Sequence, residues 1–201
     1  MTNALKDADL AAGFADPVMQ AQSTFRLILD AMSRPGTTVS CGAELTPPAS
    51  VHAAAAAFLL TVADFETPVW LPASQADSGF ATWLKFHCSC PIAPTPDCAA
   101  FALIDIADEM PSMAAFGQGT EEYPDRATTL IIQVDHLDRG QNLALSGPGI
   151  KDKTALSVSG LPATFWSDWR ANNTLFPCGV DLMLTAGTQL AALPRTVKVE
   201  I

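Results

Sequence analysis

The sequence predicts an α/β protein in which helices cover a mixed sheet. Two apolar runs, FALIDIA from Phe101 and TTLIIQV within ATTLIIQV from Ala127, have the near-continuous pattern of strands buried on both faces. Segments of helical periodicity interleave with such runs, the pattern of helices packed over a sheet. The composition is 49% hydrophobic and 16% charged, which supports a well-buried core in a chain of 201 residues. One compact domain over residues 1–201 is the simplest organisation.

The elements follow in order. In GFADPVMQAQSTFRLILDAMSRPG, Asp16 suits an N-cap and Pro17 the first helical position. Val18, Phe25, Leu29 and Met32 recur at helical spacing, with Gln22 on the same stripe, and Pro35-Gly36 ends the helix. Arg26, Asp30 and Arg34 share one face, the spacing of solvated helical ion pairing. A second helix is expected from Pro48 through VHAAAAAFLLTVAD, its alanines allowing close packing, and a third over Asp77 to His87. Further strands are expected at NLALSG from Asn142, TALSVSG after it, GVDLMLTA from Gly179 and RTVKVE near the end. LPATFWSDWRANN reads as a helix between NLALSG and GVDLMLTA.

Charge narrows the function. Twenty-one acidic against eleven basic residues give a net charge of −10, so most of the surface repels nucleic acid and anionic membranes. The low charge density also points to a partner covering part of the surface. MTNALKDADL lacks the basic start and apolar run of an export signal, and the longest apolar stretch, Ala53 to Leu60, is too short to span a bilayer. The expected setting is cytoplasmic, where the five cysteines remain reduced.

No local motif specifies catalysis. His87, Cys88, Cys90 and Cys98 lie within HCSCPIAPTPDC, but C-x-C-x7-C with three intervening prolines does not match paired zinc knuckles, and no metal is expected. There is no G-x-S-x-G elbow, and His52, His87 and His136 are scattered. Glu121-Glu122 lie in the Gly/Pro-rich stretch GQGTEEYPD and read as a solvated loop. SGPGIKDK matches neither a Walker loop nor a dinucleotide fingerprint: Pro148 removes a donor and a strand, not a helix, follows. It is expected to be a turn, with Lys151 and Lys153 left for anion contact.

Several stretches together nevertheless resemble a known family: FADPVMQAQSTFRLILDAMSRPG, WLKFH, GQGTEEYPDRATTL, LSGPGI, LFPCGVDLML and ALPRT. In order and spacing the chain resembles the H subunit of bacterial carbon–phosphorus lyase. Two departures stand out. Cys88-Ser89-Cys90 replaces a Thr-Gly type pair, and Thr196 is followed by Val197 where relatives carry a second hydroxyl.

The resemblance implies a fold similar to pyridoxal-phosphate-dependent transferases but without that cofactor. It implies a homodimer that joins G, I and J subunits. With the G, I and L subunits, such proteins support displacement of adenine from ATP by a phosphonate, giving a ribose 1-phosphonate 5-triphosphate. Two roles stay open within it. The chain either scaffolds the assembly, or contributes cations to bound ATP or phosphonate, for which Arg26, Arg34, Lys151 and Arg195 are the candidates. A third reading, outside the resemblance, is an independent small-molecule enzyme with a pocket at the sheet edge.

Overall fold

The computed structural model describes residues 11–76, 78–108 and 110–201. The chain runs α1 (Pro17–Ser33), β1 (Thr38–Ser40), α2 (Ala53–Val62), β2 (Val69–Trp70), α3 (Ala73–Ala76), α4 (Gly79–Cys88), β3 (Phe101–Asp105) and β4 (Thr129–Gln133). It continues through β5 (His136–Ser146), β6 (Thr154–Ser159), α5 (Phe165–Asn173), β7 (Asp181–Ala186), β8 (Gln189–Leu193) and β9 (Lys198–Glu200). The main sheet is mixed, in the order β1-β8-β7-β4-β3-β2. Strands β2, β3, β4 and β7 are parallel, while β8 is antiparallel to both β7 and β1. A second, antiparallel sheet has the order β6-β5-β9.

The apolar runs are covered on both sides because alternate residues serve different cores. Leu103, Ile131 and Met183 point into a cluster with α1, α2 and α4, through Ile28, Ala54–Leu59 and Trp83. Their neighbours Ile104, Leu130, Ile132, Leu182 and Leu184 point into a cluster with α5 and the second sheet, through Trp166, Trp169, Leu143 and Val158. Each such Leu or Ile contributes about 1.5–3 kcal/mol on burial, so the strands are fixed by two layers rather than by propensity. The result is three layers, helices over sheet over helix and sheet. Among the described residues no helix is long and apolar enough to cross a membrane.

Helix α1 begins as its sequence dictates: the Asp16 carboxylate accepts from Met19 N at 3.1 Å, and Pro17 occupies the first turn. Most of its apolar stripe, however, faces outward, and only Met32 of the stripe packs against the core. An amphipathic helix normally turns that stripe to the core, yet α1 buries Thr24, Ile28 and Ala31. Val18, Phe25 and Leu29 are 77%, 47% and 51% exposed, and Met19 beside them is 61% exposed. The small residues at Thr24 and Ala31 let α1 approach α2 and β8 closely, which displaces the larger side chains to the far side.

Other elements differ in their bounds. Helix α2 starts at Ala53, not Pro48, because Pro48 to Val51 closes a turn (Val51 N to Pro48 O, 2.9 Å). Helix α4 starts at Gly79 with Ser78 as N-cap, and Asp77 lies outside the described residues. Strand β5 begins at His136, six residues before the expected Asn142, since an irregularity between His136 and Gln141 interrupts its apolar alternation. Strand β8 had no sequence expectation. It forms because Gly187 allows a tight turn after β7 and because QLAAL alternates between the two cores. The expectations for the first ten residues lie outside the described residues.

Candidate functional site

The apolar runs of three parallel strands each end on a polar residue: Asp105 on β3, Gln133 on β4 and Thr185 on β7. Strand register pairs Asp105 with Gln133 and Gln133 with Thr185, so the three form one row near the carboxyl end of the sheet. Helix α2 adds His52 from its N-cap position. Gln133, only 1% exposed, ties the row together. Its Oε1 accepts from the His52 main-chain N at 2.6 Å, and its Nε2 donates to Ser50 O and Asp105 Oδ2, both at 2.9 Å. Asp105 Oδ1 accepts from Ala107 N at 2.8 Å.

The His52 ring lies with Nδ1 3.0 Å from Thr185 O. A carbonyl oxygen can only accept, so Nδ1 donates and the neutral ring keeps an Nε2 lone pair as acceptor or base. His52, Asp105 and Gln133 line a cleft of ≈ 330 Å³ together with Ile106, Val134, Asp135 and His136. Among the described residues no lysine or arginine lines it. The cleft can accept hydrogen bonds and a proton, and its carboxylates oppose a polyphosphate.

The cationic candidates fall elsewhere. Arg195 is held in a partly buried pair, 12% exposed against 15% for Asp181. Its Nε and Nη2 donate to Asp181 at 3.1 and 2.5 Å, and Nη1 donates to Pro124 O at 2.8 Å and Pro177 O at 3.2 Å. The fork is thus occupied by the protein itself. Arg34 pairs with Asp30 on the surface of α1. Arg26 is exposed on the outer side of α1, and Lys151 is exposed beyond the glycine loop; neither has an ion-pair partner among the described residues. Lys153 pairs with Glu200 at 2.5 Å.

The glycine loop is a packing device. Gly149 has φ +81°, and a Cβ there would stand 2.2 Å from Ser33 O and 3.0 Å from Pro35 Cδ. Gly147 lies against Thr196, where an added Cβ would meet Thr196 O at 3.0 Å. The loop therefore joins the end of α1 carrying Arg34 to the turn carrying Arg195, and sets Lys151 just beyond that junction. Three of the four cation-bearing segments therefore meet at this junction, those of Arg34, Lys151 and Arg195.

Three of the resemblance-bearing stretches converge at the amino ends of the parallel strands. Arg195 from ALPRT holds Pro124 of GQGTEEYPDR and Pro177 of LFPCG. Gly179 N donates to Gln118 O at 2.9 Å, and Gly117 N donates to Thr128 Oγ1 at 3.1 Å. Asn172, 3% exposed, exchanges hydrogen bonds with both main-chain groups of Val180. In the sequence only the recurrence of Pro and Gly at these places signalled a fixed backbone.

Among the described residues no three or more His, Cys, Asp or Glu side chains are grouped so as to hold a metal ion. Cys88 and Cys90 titrate as a pair, since the hydrogen bond between them raises the Cys88 thiol and lowers that of Cys90. Burial pushes the Cys41 thiol up to about 11. His87 is structural, its Nε2 2.9 Å from Ala11 O and its ring against Trp83.

Comparison with known proteins follows the same stretches. A family model described as bacterial phosphonate metabolism protein (PhnH) matches residues 12–200. The chain is 41% identical over 190 residues to alpha-D-ribose 1-methylphosphonate 5-triphosphate synthase subunit PhnH of Rhizobium meliloti (strain 1021), covering 94% of this chain and 95% of that protein. It is 38% identical over 86 residues to a putative C-P lyase subunit protein HtxG of Stutzerimonas stutzeri, covering 41% of this chain and 43% of that protein.

Proposed function

The chain belongs to the bacterial phosphonate metabolism (PhnH) family, and from that premise we propose that it is a non-catalytic subunit of a carbon–phosphorus lyase system. In this reading it supports transfer of a phosphonate to the ribose of ATP with release of adenine, giving a ribose 1-phosphonate 5-triphosphate. It acts as an assembly scaffold in the cytoplasm, as a homodimer bound to subunits of the G, I and J types. It uses no cofactor of its own, and residues 1–201 act as one domain.

The observation that carries the reading is the outward apolar stripe of α1. Val18, Met19, Phe25 and Leu29 leave on the surface the kind of side chains that a monomer buries. A subunit covers them by docking. The engaged Arg195 and the carboxylate-lined cleft weigh in the same direction, because neither offers a triphosphate a cationic cradle. The proposed likeness to pyridoxal-phosphate-dependent transferases draws support from the four parallel strands and antiparallel β8.

A second reading, in which the chain lends cations to ATP or phosphonate, is favoured by Arg26 and Lys151, which have no ion-pair partner among the described residues. One comparison separates the two. Arg26→Ala and Lys151→Ala are assembled with the other subunits, and adenine release from ATP plus a phosphonate is measured. The scaffold reading expects activity to fall only where assembly falls. A variant that assembles normally yet turns nothing over supports the second reading.

A further inference from the structure

We propose that the amino edge of the sheet is a second docking surface, built from Tyr123, Leu175 and Phe176 and rimmed by Glu121, Glu122 and Asp125, whose occupant is a basic segment of a different protein chain. The three anchors are 47%, 45% and 64% exposed. Leu175 follows α5, which packs in the core on the opposite side of the sheet from α1.

The anchors are held in place before anything binds. Tyr123 and Phe176 each precede a proline whose carbonyl accepts from the same Arg195 nitrogen. Thr120 and Tyr123 exchange main-chain hydrogen bonds at 3.3 and 3.2 Å, and the Arg126 guanidinium sits 4.1 Å from the centre of the Tyr123 ring. Leu175 N donates to Asn172 O, and Leu175 O accepts from Cys178 N. An internally saturated, partly buried arginine is an expensive way to make two turns, since desolvating an ion pair offsets much of its attraction. Its return is preorganisation: exposed aromatic side chains fixed in advance lose less freedom on binding, and tyrosine is among the residues that anchor interfaces.

Charge selects the occupant. Glu121, Glu122 and Asp125 are exposed, and none takes part in an ion pair among the described residues. A second copy set against this patch across a two-fold axis would bring the acidic rims together, and like charges facing each other across an interface are strongly unfavourable. A partner segment with lysines or arginines flanking apolar residues satisfies rim and centre at once.

The identity of that partner rests on the assembly reading above, and the experiment keeps the two apart. The full-length chain, the double variant Glu121→Lys/Glu122→Lys and the variant Phe176→Ala are each titrated against the co-expressed remaining subunits, with melting temperatures recorded for the free proteins. The expected result is an unchanged melting temperature, binding weakened about tenfold or more in each variant, and wild-type affinity that falls with added salt. Carbodiimide coupling should join Glu121 or Glu122 to lysines of another subunit. Variants that bind as the wild type does overturn the docking surface and leave the assembly reading intact. Cross-links only between copies of this chain overturn it as well. A wild-type chain that binds no other subunit sinks both.

Discussion

Replacing Arg195 by alanine tests whether this residue is architectural. The substitution removes four hydrogen bonds: two to Asp181, one to Pro124 O and one to Pro177 O. It leaves a carboxylate whose side chain is 15% exposed with one donor, the Arg195 main-chain N at 2.7 Å. Breaking a buried pair from one side costs about 3–5 kcal/mol, because a charge is stranded. The residual exposure and the retained donor place this case near the lower end, at about 3 kcal/mol. Urea unfolding is the assay, with the midpoint falling at constant slope. Arg195→Lys should recover little, since an ammonium cannot span a carboxylate and two carbonyls as the fork does. The pair Arg195→Met with Asp181→Asn should recover part of the loss by removing both charges. A loss below about 1 kcal/mol, the value of an exposed pair, would refute the reasoning.

Three further outcomes are expected. Gly149→Ala should destabilise by more than about 2 kcal/mol in thermal unfolding, combining a strained φ of +81° with a Cβ 2.2 Å from Ser33 O; Lys151→Ala should stay within about 0.5 kcal/mol. Phe25→Ser and Leu29→Ser should leave the free chain's stability within about 0.5 kcal/mol, as exposed positions do, while gel filtration shows smaller assemblies; a loss of 3 kcal/mol or so would mean a core position instead. For Cys41, burial pushes the folded thiol from an ordinary 9.0 up to about 11. The folded state therefore keeps a proton that the unfolded state sheds, and stability should fall between pH 9 and 11 by about 2 kcal/mol. Unfolding of Cys41→Ala across that range should show a shallower slope.

Much of the fold was legible because the signals were local. Asp16 and Pro17 fix the start of α1 by capping chemistry that needs no partner. FALIDIA and TTLIIQV announced doubly covered strands because both faces must be apolar. What periodicity cannot encode is which face turns inward when a helix has apolar residues on two sides. In α1 the small residues Thr24 and Ala31 won the core, and Phe25 and Leu29 were left outside.

The sites follow the same division. Asp105, Gln133 and Thr185 each end an apolar run, a visible signal, but their alignment depends on strand register and their link to His52 on the placement of α2. In the sequence Arg195 is a candidate cation for bound phosphate. Its capture by Asp181 is a long-range pairing that only the assembled sheet creates. The sequence makes the glycine loop a turn, and the structure supplies the reason: the end of α1 lies where a Cβ would stand.

In the function proposed above, this chain serves an assembly and turns nothing over alone. Adenine release from ATP plus a phosphonate measures this directly, with the purified chain, with the remaining subunits, and with all together. No release is expected from the chain alone, little from the remaining subunits, and turnover when they are combined. Release by the purified chain alone, or full activity without it, contradicts the account.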